Sequence, residues 1–168
     1  MAGKREKVIQ TRIGERVVEL DKVLHFPRGL IGMEKHRDFV LLQIREGSPF
    51  LVLQCMTNPR VGLLVADPFS FIDGYEVHIG EPEQRILRLK NKRQAAVLVT
   101  VSIPPGEPDK TALNLSGPIL VNHDSRIGLQ APQVDTRYPT HHYLHQGKTV
   151  PGQETEPSEN ADDSDTKE

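Results

Sequence analysis

Three near-continuous apolar runs, Phe39 to Ile44, Phe50 to Met56 and Val61 to Ala66, stand within thirty residues and constrain the fold most. Each has the length of a strand and is too short for a stable helix. The segments between them, Glu46-Gly47-Ser48-Pro49 and Thr57-Asn58-Pro59-Arg60, consist of turn formers. Runs without polar alternation read as strands covered on both faces. The chain must therefore supply covering elements as well as a sheet.

Other segments supply them. Lys7 to Ile13 and Arg16 to Leu20 flank Gly14-Glu15 and read as a hairpin with a two-residue turn. Tyr75 to Ile79 alternates with a period of two, the pattern of a strand with one wet face. Glu81-Pro82-Glu83 opens the one convincing helix, around residues 82–92, with proline and acids in its first turn and Lys90, Lys92 and Arg93 at its end. Strands are further expected at Ala95 to Ile103, Thr111 to Ser116, Ile119 to His123 and Ile127 to Ala131. Many short strands and one helix predict an all-β fold, a mainly antiparallel barrel or sandwich. Residues 1–145 are expected to form one domain.

The charges divide unevenly. Of 23 acidic and 21 basic residues, residues 146–168 hold 7 and 2, leaving 16 acids against 19 bases in the body. That terminal segment has almost no apolar residues to offset ordering entropy and reads as a disordered acidic tail. A weakly basic body with 5% aromatic residues argues against nucleic acid as a direct partner. No apolar run is long enough to span a membrane, and the start lacks a signal peptide, so a cytoplasmic protein is expected. The one cysteine, Cys55, reads as a buried thiol. Nothing drives assembly through a coiled-coil stripe, which favours a monomer.

Candidate chemistry is sparse. His141, His142 and His145 are the nearest approach to a metal cluster, and a metal-binding barrel enzyme is the alternative reading they raise. A solvated C-terminal segment is the simpler explanation, since the stretch around Tyr138 to Tyr143 has little helical pattern, no cysteine and no carboxylate at ligand spacing. There is no nucleophile elbow, phosphate loop or dinucleotide fingerprint, and no catalytic residue or cofactor is expected. The basic residues Arg85, Arg88, Lys90, Lys92 and Arg93 allow RNA binding as a further reading, against that of a solvated helix end.

Two motifs go beyond composition. Phe26-Pro27-Arg28-Gly29-Leu30-Ile31-Gly32 punctuates the chain after the first strands, and Ala112 to Asn122 contains a strand that breaks at Gly117-Pro118 and resumes at once. With Ser48 to Gln54, Asp67-Pro68-Phe69 and Gly128-Leu129-Gln130, their order resembles the flagellar assembly factor FliW family up to about Leu144. The resemblance implies a compact, cofactor-free antiparallel barrel-like fold in the cytoplasm. It implies two alternating partners: flagellin, held before export, and CsrA, a small dimeric regulator that represses translation of flagellin messenger RNA. Phe26, Gly29, Gly32, Asn114, Gly117, Pro118 and Asn122 are then expected to define the fold. The loop with Phe69, Phe71 and Ile72 is a candidate apolar contact for flagellin. Glu76, Glu81 and Glu83 are a candidate acidic patch that would repel RNA from a captured CsrA.

Overall fold

The computed structural model describes residues 3–135 and 137–144. The expected tail and His145 lie outside the described residues. The strands are β1 (Glu6–Thr11), β2 (Gly14–Glu19), β3 (Leu24–His25), β4 (Asp38–Gln43), β5 (Phe50–Cys55), β6 (Gly62–Ala66), β7 (Ala95–Ser102), β8 (Ala112–Leu113), β9 (Ile119–Asn122), β10 (Ile127–Gln130) and β11 (His142–Tyr143). The helix α1 spans Glu81–Leu87. The mainly β expectation holds.

Strands β3, β4, β5, β6, β7, β9 and β10 pair in that order, and β10 returns to β3. The sheet closes into a barrel. Closure rests on one parallel pair, Ile127 opposite His25, supported by a 2.8 Å bond from His25 N–H to Arg126 C=O. The other ladders are antiparallel. Strand β7 is long enough to hold two neighbours on one side: Ala95 to Leu98 pair with β9, and Val101 and Ser102 pair with β8. The chain from β8 to β9 is thus one strand interrupted against a single partner, with the Gly117-Pro118 break bulging out between its halves. Asn114 Oδ1 accepts the N–H groups of Ser116 and Gly117 at 3.0 and 3.2 Å, which satisfies the bulge.

Inside the barrel, Leu24, Phe26, Phe39, Leu53, Cys55, Val65, Leu98, Ile119 and Val121 pack together. Phe26 is fully buried and meets Phe39 edge to face at 5.5 Å. Its place depends on Gly128, where a β-carbon would lie 2.3 Å from Phe26 Cε1. Three covers lie on the outer face. Ile9 and Val18 of the β1–β2 hairpin cover Val40, Leu42 and Val52. Leu87 of α1 covers Leu120 and Leu129. The segment carrying Phe71, Ile72 and Tyr75, with Tyr138 and Leu144, covers Ala66, Val99, Val101 and Leu113. Apolar residues on both sides of β4, β5 and β6 follow from this arrangement.

Four expectations need correction. The hairpin turn lies at Arg12-Ile13, ahead of Gly14-Glu15, because Thr11 Oγ1 accepts the Ile13 N–H at 3.1 Å and donates to Gly14 C=O at 2.6 Å. Gly14, at φ +94°, then takes the left-handed position that follows the turn. Tyr75 to Ile79 alternates between buried and exposed but joins no ladder. Side chains take the place of a neighbouring strand: Glu76 N–H donates to Tyr138 Oη at 3.0 Å, and Gln133 both accepts from His78 N–H and donates to His78 C=O.

The helix is shorter than expected, ending at Leu87 because Arg88 is left-handed at φ 55°. Buried Asn122 holds that end, donating to the carbonyls of Leu87 at 2.8 Å and Arg88 at 3.3 Å. Residues Lys92–Gln94 form a separate 3₁₀ turn under a capping box from Asn91 and Gln94. Lastly, Tyr138 to Leu144 is no solvated segment. It adds β11 to β8, with His142 opposite Leu113, and buries Tyr138 and Leu144 partly in the third cover.

Candidate functional site

The ladder between β6 and β7 contains two residue pairs, Val65 with Thr100 and Ala66 with Val99. Beyond them the strands diverge, and a cleft of about 510 Å³ opens between Leu63 and the Val101-Ser102 end of β7. Its far wall is the loop after β3, through Ile31 and Met33, and its floor is the strand break at Asn114 to Gly117. Gln130 fixes this geometry. Its Oε1 accepts the Ile31 N–H at 2.9 Å, and its Nε2 donates to Gly117 C=O at 3.0 Å. Gly117 sits so close that a β-carbon there would lie 3.1 Å from that nitrogen. One side chain therefore clamps together the segments 26–32, 112–122 and 128–130.

The clamp presents Ile31 to solvent at 62% exposure on a backbone that Gln130 fixes. On its other side lies a smaller cleft of about 230 Å³ with Arg28, Glu34 and Glu83 at its walls. Gly29 is obligatory here: it lies at φ +65°, and a β-carbon would stand 2.6 Å from Glu34 Cα. Glu34 Oε1 accepts the Gly32 N–H at 3.0 Å. That bond, with one to its own N–H, holds the carboxyl below the usual glutamate range. Arg37 closes the loop by donating to the carbonyls of Pro27 and Glu34.

The candidate contact residues are dispersed. Phe71 stacks on Phe50 at 5.9 Å and joins the third cover with Ile72, so both plug the barrel's outer face. Phe69 alone of that loop stays half exposed, 5.9 Å from the Tyr75 ring. Tyr75 donates its hydroxyl to Leu115 C=O at 2.6 Å, and burial pushes its phenol up to about 12. Glu76 is exposed and adds to the charge environment of Arg137. Glu81 faces Arg85 at 3.8 Å in a fully solvated pair. Glu83 lines the smaller cleft with Glu34, a carboxylate that sequence reasoning missed. Its signal was available in the motif just upstream, since a loop of glycines needs a side chain to cap its amides.

Among the described residues, one imidazole lines these clefts. His141 lines the larger one, with its Nδ1 3.1 Å from Thr140 Oγ1 and its ring stacked on Tyr143 at 6.4 Å. Among the described residues, no group of three His, Cys, Asp or Glu is arranged to hold a metal ion. Cys55 is buried, its sulfur 3.6 Å from His36 Nδ1. No helix among the described residues is long and apolar enough to cross a membrane.

The family model described as FliW protein matches residues 7–144, the whole barrel with its covers and both clefts. The chain belongs to the FliW family. A flagellar assembly factor FliW of Nitratidesulfovibrio vulgaris is 62% identical over 145 residues, covering 86% of this chain and 84% of that protein. The FliW of Desulfovibrio desulfuricans is 53% identical over 152 residues, covering 89% and 91%. A crystal structure of the flagellar assembly factor FliW superposes with a TM-score of 0.75 at 28% identity, over 82% of this chain and 96% of that one. The three segments clamped by Gln130 all fall within the stretch that the FliW family model matches.

Proposed function

We propose that this FliW-family chain is a non-enzymatic flagellar assembly factor that binds flagellin and the translational regulator CsrA in alternation. The observation that carries the proposal is family membership across residues 7–144. The geometry supports a binding role. An open cleft with an exposed isoleucine on a rigid lip suits an apolar segment of another protein. Exclusive capture of one partner or the other needs no chemistry, only overlapping surfaces.

In this reading Ile31 and Phe69 are the apolar contacts for flagellin. Glu76, Glu81 and Glu83, with Glu34 beside Glu83, lower the RNA affinity of a captured CsrA by repulsion. The test is a pair of full-length variants. Ile31→Asp is expected to weaken flagellin binding about tenfold or more while leaving the melting temperature unchanged, because the side chain is already solvated. Replacement of Glu76, Glu81 and Glu83 by glutamine is expected to weaken CsrA binding at low salt. Unaltered affinity for both partners would refute this surface assignment.

A further inference from the structure

Strand β10 is paired with β9 along its whole length, from Ile127 opposite Asn122 to Gln130 opposite Ile119. On its other side it has one partner residue, His25. A proline sets that limit. The next parallel rung would need an N–H from residue 27, but Pro27 has none, and its carbonyl accepts from Arg37. The alternation of the ladder names the groups left over. Ala131 N–H donates to Pro118 C=O at 2.9 Å, whereas Arg126 C=O accepts from His25 N–H at 2.8 Å, so alternate residues turn towards β9 and away from it. Gly128 C=O and both main-chain groups of Gln130 therefore face the side without a strand.

That edge opens into the cleft of about 230 Å³, where Leu129, Gln130 and Ala131 meet the loop after β3. The gap is preformed. Gln130 Oε1 holds the Ile31 N–H, Glu34 Oε1 holds the Gly32 N–H, and Arg37 holds the Glu34 carbonyl, so a ligand need not order the loop. Open edges are ordinarily blunted by lysine or proline, and neither stands between Ile127 and Ala131. The walls carry two carboxylates, Glu34 and Glu83, against one guanidinium, Arg28. None of the three is in an ion pair among the described residues.

We propose that the open edge of β10 at Gly128 to Gln130 is a strand-addition site for an extended segment of a partner protein that carries a lysine or arginine. The segment's main chain donates to the carbonyls of Gly128 and Gln130 and accepts the Gln130 N–H, while its cation lies towards Glu34 and Glu83. The excess of carboxylate over guanidinium selects a basic segment against an acidic one. The inference rests on the reading of this chain as a binding protein and names the kind of segment that this cleft takes.

The probe is the acetylated and amidated peptide Thr-Val-Lys-Val-Thr, titrated into the full chain while the amide resonances are followed. Binding is expected with a dissociation constant of about 1 mM, and with shifts concentrated at residues 28–34 and 128–131. Methylating the three central amide nitrogens of the peptide, which removes its donors, should abolish those shifts. Replacing its lysine by glutamate should weaken binding about tenfold, and Glu83→Lys in the protein should reverse that preference. No binding at about 10 mM peptide, shifts centred elsewhere, or equal binding of the methylated peptide would overturn the proposal. So would equal affinity for the lysine and glutamate peptides. Neither CsrA nor flagellin enters this experiment, so its failure would leave their binding to be decided by their own titrations.

Discussion

Gly128→Ala is expected to destabilise the protein by about 3 kcal/mol, a large effect for one methyl group. The added carbon would meet three ring atoms of Phe26, at 2.3, 2.4 and 2.9 Å, in the interior of a closed barrel. Phe26 cannot retreat, because it is fully buried against Phe39, Leu24 and Leu53. Neither can β10 shift outward, because its outer face lies under α1 and four residue pairs, Gly128 with Val121 among them, tie it to β9. Shortening the ring to Phe26→Leu should cost roughly 2 kcal/mol alone but relieve the alanine, so that the double variant is more stable than additivity predicts by about 1 kcal/mol or more. Denaturant melts of the four proteins check this. Strictly additive losses would mean that Phe26 and Gly128 are not the interlocked pair the barrel requires.

Asn122→Ala is expected to cost about 2 kcal/mol, far more than its small apolar loss. The amide is 1% exposed, and its Nδ2 serves two helix-end carbonyls while its Oδ1 accepts the Asp124 N–H at 3.0 Å. Truncation leaves Arg88 C=O without this donor in a partly buried setting, whereas Leu87 C=O keeps Ser125. Ser125→Ala should therefore cost less, about 1 kcal/mol, and the double variant more than the sum because both serve the same carbonyl. Amide exchange should quicken in α1 first. A loss from Asn122→Ala below about 0.5 kcal/mol, the range of ordinary surface changes, would show that α1 is held by packing alone.

The barrel was legible in the sequence where burial alone sets the pattern. The runs in β4, β5 and β6 announced strands covered on both faces, and the structure supplies the covers. The break at Gly117-Pro118 was legible as a break, though not as two halves of one strand on β7, since register is a long-range property. Reading failed where side chains replace backbone partners. Tyr75 to Ile79 has the alternation of an edge strand because it packs like one, yet Tyr138 and Gln133 take the place of a ladder some sixty residues away.

The same limit governed the site. Phe69, Phe71 and Ile72 are equal candidates by composition, and only packing separates the exposed Phe69 from the two partly buried against the barrel. The clamp made by Gln130 was hidden because its partners, Ile31 and Gly117, are distant in sequence. Three of the five motifs that carried the family resemblance each contribute one of its members.

The measurement that bears most directly on the proposed partner switch is a calorimetric titration of the full chain with CsrA of the same organism, repeated after saturation with flagellin. The account predicts binding of CsrA to the free protein and its loss once flagellin is bound. Undiminished CsrA binding to the flagellin-saturated protein would contradict alternation, and no binding of either partner would contradict the function itself.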